Sequence, residues 1–99
     1  MKNLVMIFRS NLQQDVADQL RGLDSVSGFT FSNVEGHSGQ SEKDPFLSAR
    51  DKVVGFLPRV RVDILLDESQ VKATISAVRS VTSGLGIYWV APIDEYGKL

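Results

Sequence analysis

The chain has 99 residues, 42% hydrophobic and 23% charged, with a formal net charge of −1. That length makes a single domain, 1–99, with one small core. The balanced charge argues against nucleic acid and against an anionic membrane surface as partners, and the absence of cysteine excludes a disulfide framework and thiolate chemistry.

The first ten residues, MKNLVMIFRS, hold a short apolar run closed by Arg9. It is too short for a signal sequence or a membrane span, so no membrane insertion and a cytoplasmic location are expected. Leu4 to Phe8 is continuous and apolar, which predicts a central strand covered on both faces. Ser10 or Asn11 is placed to cap a helix. Leu12, Val16, Leu20 and Leu23 recur along one helical face. Gly22 ends or frays that helix, and DSVSG is turn chemistry.

GFTFSNV, residues 28–34, sets Phe29 and Phe31 against Thr30 and Ser32, the period-two pattern of a strand. A long segment at about 36–55 follows with no obvious core pattern; uninterrupted loops of ~20 residues inside a compact domain are usually functional or disordered. Val60, Val62, Ile64 and Leu66 then line one face of another strand. Arg59, Arg61 and Asp63 take the opposite face, and Pro58 is tolerable at its start. Asp67 or Ser69 caps a second helix with an inner stripe of Val71, Ile75, Val78 and Thr82 or Val81. TSGLG stops it, Gly84 or Gly86 being able to take a left-handed cap. IYWVA is the last strand, ended by Pro92, and IDEYGKL is a polar tail.

This order predicts an α+β, ferredoxin-like βαββαβ sandwich: a four-stranded antiparallel sheet with two helices on one face. The other face then carries some of Val5, Ile7, Leu65, Tyr88 and Val90. An apolar face left open calls for a partner, and self-association through the sheets is expected.

Signals of catalysis are thin, and the chain is not expected to be an enzyme. It has one histidine and no nucleophile elbow; GHSGQ lacks the Lys-Ser/Thr of a phosphate loop. His37 with Glu35, Glu42 or Asp44 can form a weak metal site biased towards hard oxygen ligands, or can be a solvated loop histidine. Arg59 and Arg61 stand two apart on one strand face. Two guanidinium forks so placed can grip a phosphate or carboxylate; the alternative is pairing with Asp63, Asp94 or Glu95. Trp89 fits a core or interface anchor better than a ligand platform.

The stretch VVGFLPRVRVDILL, residues 53–66, resembles the VVDFLPKVKIEIVV signature of the PII nitrogen-regulatory proteins. VEGHSGQ, leading into the long segment, is similar to the PII sequence GFGRQ, with Gly36, Gly39 and Gln40 as counterparts. The ending IYWVAPIDEYGKL looks more like a compact PII-like subfamily of unassigned function. The resemblance implies a homotrimer whose sheets pack together in the middle. It makes the long segment a T-loop that contacts a target, a membrane transporter or an enzyme, through residues such as Ser41, Glu42, Lys43, Asp44, Arg50 and Lys52. It also implies a small-molecule effector in the clefts between subunits. In PII proteins that effector is ATP or ADP, often with 2-oxoglutarate and magnesium. Gln40 would help hold the metal, and Arg59 would sit near the phosphates.

The departures bear on the ligand. PII proteins carry TGKIGDGKI after the second helix, where this chain has only TSGLGI, residues 82–87, with Gly84 and Gly86 but no lysine. In place of the two C-terminal arginines it offers Asp94 and Glu95, which repel a triphosphate. An adenine nucleotide is thus a possible ligand facing a reduced phosphate-binding loop. The expectation is a PII-like regulator. The alternatives are a metal-binding trimer like the divalent-cation-tolerance proteins, with His37 as ligand, and a ligand-free structural module.

Overall fold

The structure, a computed structural model, describes residues 1–37 and 57–99. β1 is Lys2–Arg9. A 3-10 turn, Ser10–Leu12, leads into α1, Gln13–Arg21. β2 is Thr30–Gly36 and β3 is Leu57–Leu66. A second 3-10 turn, Glu68–Gln70, precedes α2, Val71–Thr82, and β4 is Ile87–Pro92. The strands form one sheet in the order β2-β3-β1-β4, and each neighbouring pair is antiparallel. This is the ferredoxin-like α+β arrangement that the order of elements predicts. None of the helices among the described residues is long and apolar enough to cross a membrane.

Residues directly opposite one another in an antiparallel pair share a face. Leu4, Met6 and Phe8 of β1 stand opposite Ile64, Val62 and Val60 of β3. These six are buried against Val16 and Leu20 of α1 and Val71 and Val78 of α2. Each such side chain removed from water contributes about 1.5–3 kcal/mol. Phe31, opposite Val62, meets Phe8 edge-on with ring centroids 6.4 Å apart. Phe29 packs on Phe31 at 5.4 Å. The second strand therefore begins at Thr30, two residues later than its alternation suggests, yet Phe29 still serves the core.

The helix ends differ in detail from expectation. Neither Ser10 nor Asn11 makes a side-chain cap bond; the 3-10 turn carries the chain into α1, with the Gln13 N–H donating to the Ser10 carbonyl. Backbone bonds thus do the work expected of a side chain. Gly22 does end the helix, its N–H donating to the carbonyls of Asp18 and Gln19, so Leu23 lies beyond it. At the second turn the Asp67 carboxylate accepts the Ser69 N–H at 3.1 Å, and that hydroxyl as well. These bonds hold the Asp67 carboxyl below its usual range. The left-handed cap of α2 is Ser83, at φ 53°, followed by Gly84 at φ 76°. Thr74 joins the buried stripe; its hydroxyl donates to the Gln70 carbonyl at 2.8 Å, so no polar atom is stranded there.

The sheet face away from the helices carries Asn3, Val5, Ile7 and Arg9 of β1 and Arg59, Arg61, Asp63 and Leu65 of β3. Val34 of β2 and Ile87 and Trp89 of β4 share it. Of the five residues expected to supply that face, Val5, Ile7 and Leu65 do, whereas Tyr88 and Val90 stand opposite Met6 and Leu4 and belong to the helix side.

Candidate anion site at the mouth of the long segment

Segment 38–56 leaves the sheet at the end of β2 and returns at the start of β3, where Gly36 pairs with Leu57. Arg59 lies two residues into β3. A methyl group built on Gly36 would collide with Arg59 Nε and Cδ, so the arginine side chain lies across the glycine. Across the sheet, Arg59 stands directly opposite Arg9, the last residue of β1. Like charges directly opposite on a sheet are mutually destabilising. Guanidinium forks on one face can bind a carboxylate or phosphate where they converge. Arg59 was legible as a candidate; Arg9 was not, since it reads only as the end of an apolar run.

Arg61 shares that face, and its main partner is Asp63. Its Nε and Nη2 donate to Asp63 Oδ2 and Oδ1 at 3.0 and 2.9 Å. Asn3 Nδ2 donates to the same carboxylate at 3.3 Å. The Arg61 hydrogen bonds, aided by Asn3 and by the opposite charge, hold the Asp63 carboxyl below its usual range. The same pairing raises the guanidinium pKa above its ordinary value. The Arg61 guanidinium carbon also sits 5.6 Å from the centroid of the Trp89 ring, a cation–π contact that seats the indole. Of the partners considered for Arg61, the structure brings Asp63 to it. Together Arg61, Asp63 and Trp89 help seal Val5, which is buried although it lies on the helix-free face.

Gly84 and Gly86 lie between α2 and β4. A Cβ on Gly86 would stand 2.7 Å from the Ile7 carbonyl oxygen, so this loop is pressed onto the same end of β1 that carries Arg9. A Cβ on Gly84 would meet nothing within 4 Å. Both glycines line a half-open cavity of about 150 Å³ between α2 and β4, with Arg79 and Tyr88. No lysine is available in this loop to meet a phosphate.

His37 Nε2 lies 3.5 Å from Glu35 Oε2, and both side chains are exposed. No group of three His, Asp or Glu side chains able to hold a metal occurs among the described residues. The other candidates named for the loop, Gly39, Gln40, Ser41, Glu42, Lys43, Asp44, Arg50 and Lys52, lie outside the described residues.

A family model described as "Protein of unknown function (DUF3240)" matches residues 1–99. The chain is 30% identical over 78 residues to nitrogen regulatory protein P-II 1 of Methanothermobacter thermautotrophicus, covering 79% of this chain and 67% of that one. It is 24% identical to nitrogen regulatory protein P-II of Azospirillum brasilense, over 100% of this chain and 91% of that one. A crystal structure of a DUF3240 family protein from Shewanella baltica OS155 superposes with a TM-score of 0.80 at 25% identity, covering 99% and 94% of the two chains. The distant homology supports a PII-like regulatory role. The chain belongs to the DUF3240 family, within the superfamily of PII-like proteins.

Proposed function

We propose that this protein is a signalling regulator and not an enzyme: a homotrimer that senses a small anionic effector in the clefts between subunits. It answers through the segment at about 36–55, which contacts a target protein such as a membrane transporter or an enzyme. The observation that carries this reading is Arg59. It faces Arg9 across the sheet and lies over Gly36, at the point where the long segment starts and ends. An anion drawn to the two guanidinium groups acts on the side chain that rests on the loop's first anchored residue. A change at the site is therefore mechanically continuous with the loop.

The helix-free sheet face supports the trimer. It carries Leu65, Ile87 and Trp89 exposed, an apolar surface that association would remove from water. The effector has less phosphate than PII-style MgATP, or none. The loop after α2 lacks a lysine, and the tail offers Asp94 and Glu95 where cations would be needed.

Removing residues 39–52 tests the loop's role. The shortened chain should keep its fold and oligomeric mass and no longer retain a target captured by the intact protein from the native cytosol. Equal capture by both would reject the reading.

A further inference from the structure

The spacing of four residues on α2 sets one row of side chains towards β4. Ile75, Val78, Arg79 and Thr82 are related by three- and four-residue steps, so they share one helical face. Together with Tyr88 of β4 and Met6 and Phe8 of β1, they line the half-open cavity of about 150 Å³. Met6 and Phe8 belong to the core under the helices, which puts the cavity on the helix side of the sheet. Arg9 and Arg59 lie on the other face.

Two polar groups of this wall lack a protein partner. Thr82 is only 7% exposed, yet its hydroxyl makes no hydrogen bond among the described residues. Thr74, buried on the same helix, donates its hydroxyl to the Gln70 carbonyl. Buried hydroxyls are normally bonded in this way, so the Thr82 hydroxyl calls for a partner from the cavity. The Arg79 guanidinium likewise makes no ion pair and no hydrogen bond among the described residues. No acidic side chain among the described residues lines the cavity to offset its charge.

We infer that this cavity binds a small organic monocarboxylate. Its carboxylate pairs with Arg79 and accepts the Thr82 hydroxyl, and its apolar body lies against Phe8, Ile75 and Val78. An apolar cavity of about 150 Å³ holds one benzene-sized group, which sets the body at a single ring or a short branched chain. One negative charge is the complement of one guanidinium. A phosphate or polyphosphate fits worse, because the wall is mostly apolar and the last turn of α2 presents the negative end of its helix dipole. This site is separate from the anion site at Arg9 and Arg59. The chain would then take two anions of different chemistry on opposite faces of one sheet.

Benzoate and cyclohexanecarboxylate are the probes, with benzyl alcohol as the uncharged counterpart of benzoate. Titration of the full chain followed through its amide chemical shifts gives both the affinity and the place. At least one of the two acids should bind saturably, with the largest shifts at Val78 to Thr82, at Met6 to Phe8 and at Tyr88. Arg79→Gln should weaken that binding roughly tenfold or more, and Thr82→Val by about threefold. Arg59→Ala, on the other sheet face, should leave it unchanged. Benzyl alcohol should bind more weakly than benzoate. Arg79 is exposed, so its substitution leaves the core intact; should Thr82→Val fail to fold, the wild-type shift map and Arg79→Gln decide. No saturation by either acid below about 10 mM, shifts centred on Arg9 and Arg59, wild-type affinity in Arg79→Gln, or benzyl alcohol binding as tightly as benzoate would each overturn the inference.

Discussion

The Arg59 side chain lies over Gly36, and its Cα partner in the sheet is Arg9. That relationship joins three strands at one corner: the end of β1, the end of β2 and the start of β3. Putting a methyl on Gly36 displaces the end of a flexible side chain and leaves the backbone in place. Gly36→Ala should therefore fold with a stability within about 1 kcal/mol of wild type. It should nonetheless bind an anionic effector more weakly, because Arg59 is pushed aside. A thermal melt and a titration on the same sample separate the two effects; a large loss of stability with unchanged affinity would contradict the placement.

Arg9→Ala and Arg59→Ala each remove one guanidinium from the proposed anion site. A hydrogen bond to a charged group is worth about 1.5–3 kcal/mol, so each change should weaken effector binding by roughly tenfold or more. The loss should shrink as salt is raised, since part of the attraction is screened. Affinity that ignores both substitutions would place the effector elsewhere.

Asp63 gives the fold an acid-sensitive contact. Its carboxyl is held below the usual range by Arg61 and Asn3, so the folded state binds that proton less readily than the unfolded chain. The resulting stability is fully present above the unfolded value of about 3.9 and is lost as pH falls through the lower folded value. Both side chains are about one-third exposed, at 37% and 30%, so screening limits the effect to less than about 1 kcal/mol. Asp63→Asn should flatten this part of the pH–stability curve. It should also shift Trp89 emission to the red, since Arg61 no longer holds the indole. An unchanged acid limb and an unchanged emission maximum would argue against the contact.

The two loop glycines should respond differently. Gly86→Ala forces a methyl against the Ile7 carbonyl, a backbone atom that cannot swing away, and should cost about 1–3 kcal/mol. Gly84→Ala has open space but a φ of 76°, so its cost is the left-handed backbone alone, about 1–2 kcal/mol. Denaturant melts of the two variants would show whether the close approach or the backbone angle dominates; Gly86→Ala melting like wild type would contradict the packing of this loop.

The fold was largely legible because its pattern rests on short-range physics. Val60, Val62 and Ile64, all buried, alternate with the charged Arg59, Arg61 and Asp63. IYWVA offers no such contrast. It is apolar at every position, so periodicity cannot say which residues face the helices, and only the register with β1 places Tyr88 and Val90 there. Thr74 was missed because a hydroxyl reads as surface until its bond to the Gln70 carbonyl is seen. Arg9 was missed for a related reason. Its meaning comes from standing opposite Arg59, fifty positions along the chain, and no local signal carries that pairing.

Arg9 and Arg59 are proposed to hold a small anion at the mouth of the long segment. Isothermal titration of ATP, ADP, AMP, cyclic dinucleotides and 2-oxoglutarate against wild type, Arg9→Ala and Arg59→Ala tests it most directly. At least one of the anions with less phosphate than ATP should bind wild type saturably and bind each variant at least tenfold more weakly. No binding by any of them, equal binding to all three proteins, or tight ATP binding enhanced by 2-oxoglutarate would contradict this assignment.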